Sequence, residues 1–265
     1  MSNNENMSFL QHLEELRWRL VKSAVAVVLV ASVIWYFQET IMVNLFLSMK
    51  EKDFITFRLF CKYFGVCVAD IPVKMQSMTV SGQFSYALMM SFMGGLVLAF
   101  PFIFYQLWSF VKPGLKLKEK KMASGLVFYV SLLFFLGILF GYFLVAPLSV
   151  QFFGSYQISN QIENNFTISS YMSMILSTVF YSGLFFLLPI VSYLLAKLEI
   201  IDVEFLKKYR KHAIVVILIL AAVITPPDII SQIIVSIPII GLYEIGILVA
   251  KRAVRQNKAA REIDK

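Results

Sequence analysis

The chain has 265 residues, of which 59% are hydrophobic, 15% aromatic and only 15% charged, and its mean hydropathy is +0.76. Soluble domains average about 45–50% apolar and about 25% charged residues, so this composition argues against a soluble globule and against a disordered chain. It is typical of an integral membrane protein. The net charge of +8 would fit nucleic acid binding or basic cytoplasmic loops, and the positions of the charges decide between them.

Apolar windows long enough to cross a bilayer, about 20 residues each, mark the membrane spans. We expect spans at about 20–37, 84–105, 123–150 and 171–196, and two more helices at about 213–224 and 230–250. The last two are separated by Thr225-Pro226-Pro227-Asp228, because two prolines remove backbone donors and an aspartate is costly in lipid. The fifth helix has only about 12 apolar residues, which implies a thinned bilayer or a re-entrant hairpin. The sequence predicts an all-α integral membrane protein, 1–265, folded as one domain.

The basic residues lie mainly on one side of the predicted spans. Of the 24 Lys and Arg, 19 fall in the N-terminal segment up to Lys22, the 107–122 and 197–212 loops and the tail from Lys251, and five fall in the 38–83 loop. Basic loops stay in the cytoplasm, so both termini are predicted to be cytoplasmic. The charge therefore reports sidedness and gives no support to nucleic acid binding.

Two cysteines, Cys61 and Cys67, lie in the predicted non-cytoplasmic loop. In an oxidising compartment they form a small-loop disulfide or remain as two buried thiols, and the spacing leaves both alternatives open. No His or carboxylate cluster accompanies them, so we expect no metal site.

The N-terminal arm, residues 1–19, has apolar residues at the three- and four-residue spacings of an amphipathic helix. We expect it to lie along the membrane surface and then to turn into the first span. In the simpler interpretation, Arg17 and Arg19 bind lipid phosphates. The alternative centres on Glu15, because a carboxylate beside anionic lipid is unexpected unless it receives a cation. Glu119, among four lysines in the 107–122 loop, is either a neutralised surface charge or a second such carboxylate.

Polar residues near the last two helices are the other candidates. Glu244 lies inside the last span and is either a functional intramembrane group or a residue that pairs at the interface. Asp228 is placed to cap the last helix, and Gln232 is placed to bond another helix. The two histidines, His12 and His212, stand in no catalytic motif, so we expect neither an enzyme nor a cofactor.

Three groups of residues together resemble the TatC family of the twin-arginine protein translocase. They are His12-Leu13, Glu15-Leu16-Arg17 and Arg19-Leu20; Phe100-Pro101, Tyr105-Gln106, Trp108, Phe110, Pro113, Leu115 and Glu119; and Thr225-Pro226-Pro227-Asp228, Gln232, Pro238 and Tyr243-Glu244-Ile245-Gly246. The resemblance covers residues 8–252.

The resemblance implies a concave, glove-like bundle of six helices in the bacterial inner membrane. It implies a receptor for twin-arginine signal peptides of folded proteins, driven by the proton-motive force. Its partners would be single-span TatA/TatB-type proteins and further copies of itself. Glu15 and Glu119 would hold the paired arginines, with Phe110, Arg17 and Arg19 beside them. The partner helix would dock at Thr225, Pro226, Asp228 and Gln232.

The sequence departs from the family pattern at two places outside these motifs. The fourth span is wholly apolar over 185–189, where many members carry a polar residue, and 43–47 lacks the usual proline. A small secondary transporter is the alternative function, because it would also combine six helices, a broken helix and a buried Glu244. A membrane scaffold without substrate is a second alternative. Dependence on Glu15 and Glu119 would separate a twin-arginine receptor from both.

Overall fold

The computed structural model describes residues 9–65, 67, 74–112, 125–159, 161, 164–197, 201–224 and 229–263. The chain forms two compact units, one from Met1–Asn44 and Thr79–Leu132 and the other from Leu45–Met78 and Leu133–Lys265. The sequence predicted one domain because no linker interrupts it. Each unit combines two separate stretches of chain, so the division leaves no local signal in composition.

The described elements are almost all helical. They are α1 (Phe9–Tyr36), α2 (Gln38–Ile41), a π-helix (Met42–Phe46), a 3-10 helix (Leu47–Lys50), α3 (Ile55–Phe64), β1 (Lys74–Gln76), α4 (Gly82–Val111), α5 (Leu126–Phe140), a second π-helix (Gly141–Val145), α6 (Ala146–Ser155), β2 (Asn165–Thr167), α7 (Ile168–Phe185), α8 (Leu188–Lys197), α9 (Val203–Lys208), α10 (Arg210–Ile224) and α11 (Ile229–Ile263). The expected all-α membrane class is confirmed.

Among the residues described, five helical stretches have the length and apolar composition to cross a bilayer. They are Gln11–Tyr36, Gly82–Val111, Leu126–Ser155, Ile168–Lys197 and Gln232–Arg252. Helix α10 has 15 residues, or about 22 Å at 1.5 Å per residue, which is short of a core about 30 Å thick. The tail expected at 251–265 continues α11 as far as Ile263.

The expected turn between the N-terminal arm and the first span is absent, because α1 is helical without interruption from Phe9 to Tyr36. No proline or glycine lies between these residues, so the chain has no local reason to break there. The arm is therefore the first part of a long helix.

In the first unit, α1 and α4 pack antiparallel. A Cβ on Gly95 would lie 2.9 Å from the carbonyl oxygen of Val27 and 3.0 Å from the Cβ of Ala31. The α4 surface at this point is made of small residues at four-residue intervals, Ser91, Gly95 and Ala99, all of which are buried. Small residues allow two membrane helices to approach closely and gain dispersion contacts.

In the second unit, α5 and the π-helix after it approach α7 as closely. A Cβ on Gly137 would lie 2.6 Å from the carbonyl oxygen of Ser182 and 2.8 Å from the Cα of Gly183. Gly141 faces the same serine, with its ideal Cβ 2.8 Å from the Ser182 Cβ. These backbones are in contact, and no side chain fits between them.

The expected span 171–196 is two helices. Helix α7 ends at Phe185, a turn follows at 186–187, and α8 begins at Leu188. Pro189 explains the break, because it has no N–H to donate to the carbonyl of Phe185 and is tolerated in the first turn of a new helix. Helix α8 then packs on α11, where the Cβ of a residue at Gly246 would lie 3.4 Å from the Cα of Pro189.

The segments of the second unit between the apolar helices are tied together by a strand pair, a side-chain hydrogen bond and a disulfide. Strands β1 and β2 pair in parallel, with Met75 opposite Phe166. The Tyr171 hydroxyl donates to the carbonyl oxygen of Phe46 at 2.5 Å. Cys61 and Cys67 are joined in a disulfide, with their Cα atoms 4.3 Å apart, so of the two alternatives left open by the spacing the structure contains the bridge.

Candidate functional site

Glu15 lies in α1 and is engaged by an arginine one turn further along the helix. The Oε1 atom of Glu15 accepts from Nη2 of Arg19 at 2.5 Å and from Nε at 3.0 Å. The two side chains are 28% and 22% exposed, so the pair is partly shielded from solvent. Glutamate four residues before arginine is the favourable order on a helix. Two guanidinium nitrogens on one carboxylate oxygen hold the arginine in a fixed direction.

Helix α4 contributes the rest of this site. The Nη1 atom of Arg19 approaches the Oε1 atom of the buried Gln106 to 3.5 Å. One turn beyond it, Phe110 stacks on His12, with ring centroids 4.2 Å apart and planes at 19°. We call these five residues, His12, Glu15, Arg19, Gln106 and Phe110, the Glu15 cluster. The antiparallel packing of α1 on α4 brings them together.

Arg17 faces away from the Glu15 cluster and pairs with Glu14 at 3.3 Å. Arg17 is 70% exposed and Glu14 is 53% exposed, so solvent screens this pair strongly. The two arginines expected near the peptide site therefore differ in environment. Glu119 lies outside the described residues.

A second group of polar contacts joins α9 and α10 to α11. Glu244 accepts from Nη2 of Arg210 at 2.6 Å, and the Tyr243 hydroxyl donates to the carbonyl oxygen of Leu206 at 2.8 Å. Arg210 begins α10, so the ion pair connects the start of the short helix to the middle of α11. Of the two interpretations of Glu244, the structure favours the one in which it pairs with a basic residue.

Gln232 also connects these two helices. Its Nε2 donates to the carbonyl oxygen of Leu218 at 3.2 Å. This bond engages one of the two amide N–H donors of Gln232. Thr225, Pro226 and Asp228, the other expected docking residues, lie outside the described residues. The described residues also contain no group of three or more His, Cys, Asp or Glu side chains arranged to hold a metal ion.

We predict that the Arg210–Glu244 pair contributes modestly to stability. The two side chains are 48% and 38% exposed, and pairs of this exposure couple by about 0.2–1 kcal/mol. A double-mutant cycle with Arg210→Gln and Glu244→Gln, read as the free energy of unfolding in detergent, measures the coupling. Independent, additive losses in the two single variants would contradict the prediction.

Three residues of these sites were not expected to act there, His12, Gln106 and Arg210. Gln106 appeared only as part of a motif, because nothing in the sequence shows that it faces Arg19. Arg210 was counted only as a topology signal. The helical hairpin predicts this contact, since Arg210 lies 14 residues before the end of α10 and Glu244 lies 15 residues after the start of α11. Positions at equal distance from a turn oppose each other in antiparallel helices.

The chain is similar in sequence and in structure to known proteins. Residues 11–238 match the family model for the Sec-independent protein translocase protein (TatC). The TatC protein of Blattabacterium sp. subsp. Periplaneta americana is 38% identical over 259 residues, which cover 94% of this chain and 97% of that protein. The TatC protein of Helicobacter pylori strain J99 is 35% identical over 240 residues, covering 91% and 87%. A crystal structure of the twin arginine translocase receptor TatC is 30% identical, with a TM-score of 0.67 and coverage of 91% and 99%.

Proposed function

Because the chain belongs to the TatC family of Sec-independent protein translocase proteins, we propose that it is the subunit that recognises twin-arginine signal peptides of folded proteins. It is a multi-pass protein of the bacterial inner membrane, and its family consists of translocase subunits, not enzymes. Membership of this family argues against the two alternative functions, a secondary transporter and a scaffold without substrate.

The Glu15 cluster is the main support for the proposed recognition of the peptide. Its carboxylate already accepts two nitrogens of a guanidinium group, from Arg19, so the site has the geometry that an arginine requires. Arginine is preferred over lysine at such a site because its planar fork donates two bonds at once. Glu119 is proposed as the second carboxylate, and Phe110 and Arg17 as neighbours of the bound peptide.

The orientation that we propose follows from charge. The basic loops face the cytoplasm, where cargo is folded, and place both termini and the Glu15 cluster on that side. Helix α10 is proposed as the fifth of six membrane helices, with a locally thinned bilayer around it. Transport is then driven by the proton-motive force and involves several copies of the chain.

Docking of a single-span TatA/TatB-type partner is proposed near the junction of α10 and α11. Gln232 supports this assignment because a polar amide in a membrane helix is stabilised by a bond to another helix. It bonds Leu218 through one donor, and its second amide N–H has no recorded acceptor among the described residues and can donate to a partner helix. Thr225, Pro226 and Asp228 complete the proposed docking site.

We predict that Gln232→Leu reduces co-purification of the partner by about tenfold, because an interhelical hydrogen bond in a membrane contributes about 1–2 kcal/mol. Signal-peptide binding is expected to be unchanged, since Gln232 is not a member of the Glu15 cluster. The neighbouring exposed residue gives the control, Ile233→Leu. Normal recovery of the partner with Gln232→Leu would remove Gln232 from the docking site.

Photo-crosslinking tests the proposed receptor function directly. A photoreactive phenylalanine derivative is placed at position 18, one turn from Glu15, or at position 36, at the far end of the same helix. Both side chains are exposed in α1, at 55% and 81%. We expect a signal peptide with paired arginines to crosslink from position 18 and not from position 36. A peptide with paired lysines gives the specificity control. Equal crosslinking from both positions, or none from position 18, would refute the proposed function.

A further inference from the structure

We propose that Arg19 is an internal competitor that occupies Glu15 in the unliganded chain and must be displaced by an arginine of the signal peptide. This inference rests on the proposed function of Glu15 and adds a regulatory contact to it. Arg19 then sets the affinity of the receptor, because peptide binding includes the cost of breaking an existing ion pair.

The geometry of the pair supports this role. Arg19 contacts Glu15 through Nη2 at 2.5 Å and Nε at 3.0 Å, and these are the contacts that an incoming guanidinium group would make. One carboxylate oxygen has few acceptor directions. A second arginine in the same position would meet the guanidinium group of Arg19, and like charges repel at this distance. A peptide arginine that donates to Oε1 of Glu15 therefore competes with Arg19 for this oxygen.

Gln106 offers Arg19 a second place to bond. Its Oε1 lies 3.5 Å from Nη1 of Arg19, and Gln106 is buried in α4. When Arg19 releases Glu15, the Gln106 amide oxygen remains as an acceptor on the neighbouring helix. Arg19 thus has one partner on each of two helices. The peptide arginine takes Glu15 on α1, and Gln106 on α4 remains as an acceptor for Arg19.

The pair between Arg17 and Glu14 lacks these properties. It is longer, at 3.3 Å, and both side chains are more than half exposed. Arg17 has no recorded contact to α4 within the described residues. Partial shielding and the two-nitrogen contact are therefore specific to Arg19 and Glu15, and do not follow from the general richness of this helix in charges.

The consequence for affinity follows from the population of the free carboxylate. When only a fraction of the molecules presents a free Glu15, the apparent dissociation constant equals the intrinsic constant divided by that fraction. Pairs of this exposure have a modest strength, so we expect Arg19 to weaken peptide binding by about two- to fivefold.

The test is titration of the full chain, purified in detergent micelles, with a fluorescent twin-arginine signal peptide. Arg19→Gln is expected to tighten binding by about two- to fivefold. Lys22→Gln is the charge-matched control, because Lys22 is exposed on the same helix and its loss also removes one positive charge. In a Glu15→Gln background, Arg19→Gln is expected to have no tightening effect, since the carboxylate for which they compete is gone.

Binding by Arg19→Gln that is unchanged, weaker, or tightened only as much as by Lys22→Gln would overturn the inference. Elution of the variants as the wild-type micelle complex, with unchanged thermal unfolding, shows that a weaker result does not come from misfolding. These variants distinguish an error in the proposed function from an error in the competitor role of Arg19. If Glu15→Gln alone leaves binding unaffected, the proposed function is wrong. If Glu15→Gln weakens binding but Arg19→Gln does not tighten it, only the competitor role is wrong.

Discussion

Glu15→Gln is expected to weaken binding of a twin-arginine signal peptide by about 10- to 100-fold. A hydrogen bond to a charged group contributes about 1.5–3 kcal/mol, and 1.4 kcal/mol corresponds to a factor of ten in the dissociation constant. The substitution keeps the size of the side chain and one acceptor oxygen but replaces the charged carboxylate by a neutral amide, so the helix is retained. The measurement is a titration of the purified full chain with labelled peptide.

The adjacent residue supplies the matched control. Glu14→Gln removes the same charge from the same helix, but Glu14 is 53% exposed and faces away from the Glu15 cluster, where it pairs with Arg17. We expect it to change peptide binding by less than about threefold, the effect of a screened surface charge. Equal losses in both variants would mean that overall charge, and not the Glu15 carboxylate, attracts the peptide.

Gly137→Ala is expected to destabilise the second unit by about 1–3 kcal/mol, the usual cost of overpacking a core. The new methyl group would lie 2.6 Å from the carbonyl oxygen of Ser182 and 2.8 Å from the Cα of Gly183. Both atoms belong to the backbone of α7, so no side-chain rotation relieves the clash. The α5 and α7 helices must separate. The free energy of unfolding in a detergent titration measures the loss.

Gly241→Ala is the control for Gly137→Ala. Gly241 is also inside a helix, α11, and its ideal Cβ has no heavy atom of the described chain within 4 Å. Since alanine favours helices over glycine by about 1 kcal/mol, this substitution is expected to be neutral or stabilising. A loss of stability in both variants would mean that the close approach of α5 and α7 is not the cause.

The positions of the five membrane-length helices followed closely from composition, because lipid requires long apolar windows with internally bonded backbones. The sixth expected span, at about 213–224, is helical but shorter than these five. The exceptions have local causes. The break after Phe185 was missed although Pro189 signalled it, because the window average remained apolar across the turn. The expected bend between arm and span was wrong, since a change from polar to apolar residues does not by itself interrupt a helix.

In the candidate site, too, one contact was predictable from the sequence and others were not. Glu15 was identified as a carboxylate in need of a cation, and the cation that the structure provides, Arg19, was visible in the sequence as a favourable partner four residues away. The Glu15–Arg19 pair was not predicted because both residues were assigned partners outside the chain, a peptide arginine for Glu15 and lipid phosphates or the peptide for Arg19. Gln106 and Arg210 were different, since their partners lie 87 and 34 residues away along the chain.

The sequence by itself determined the membrane class, the family, the predicted sidedness and the residues that carry unusual charge. These properties depend on composition within windows and on motifs, which are local along the chain. Only the tertiary structure decided that Arg19 reaches Gln106, that Arg210 neutralises Glu244, and that the backbones at Gly137 and Ser182 touch. These contacts depend on how helices pack, and packing is set by shape across distant segments that no single window of sequence contains.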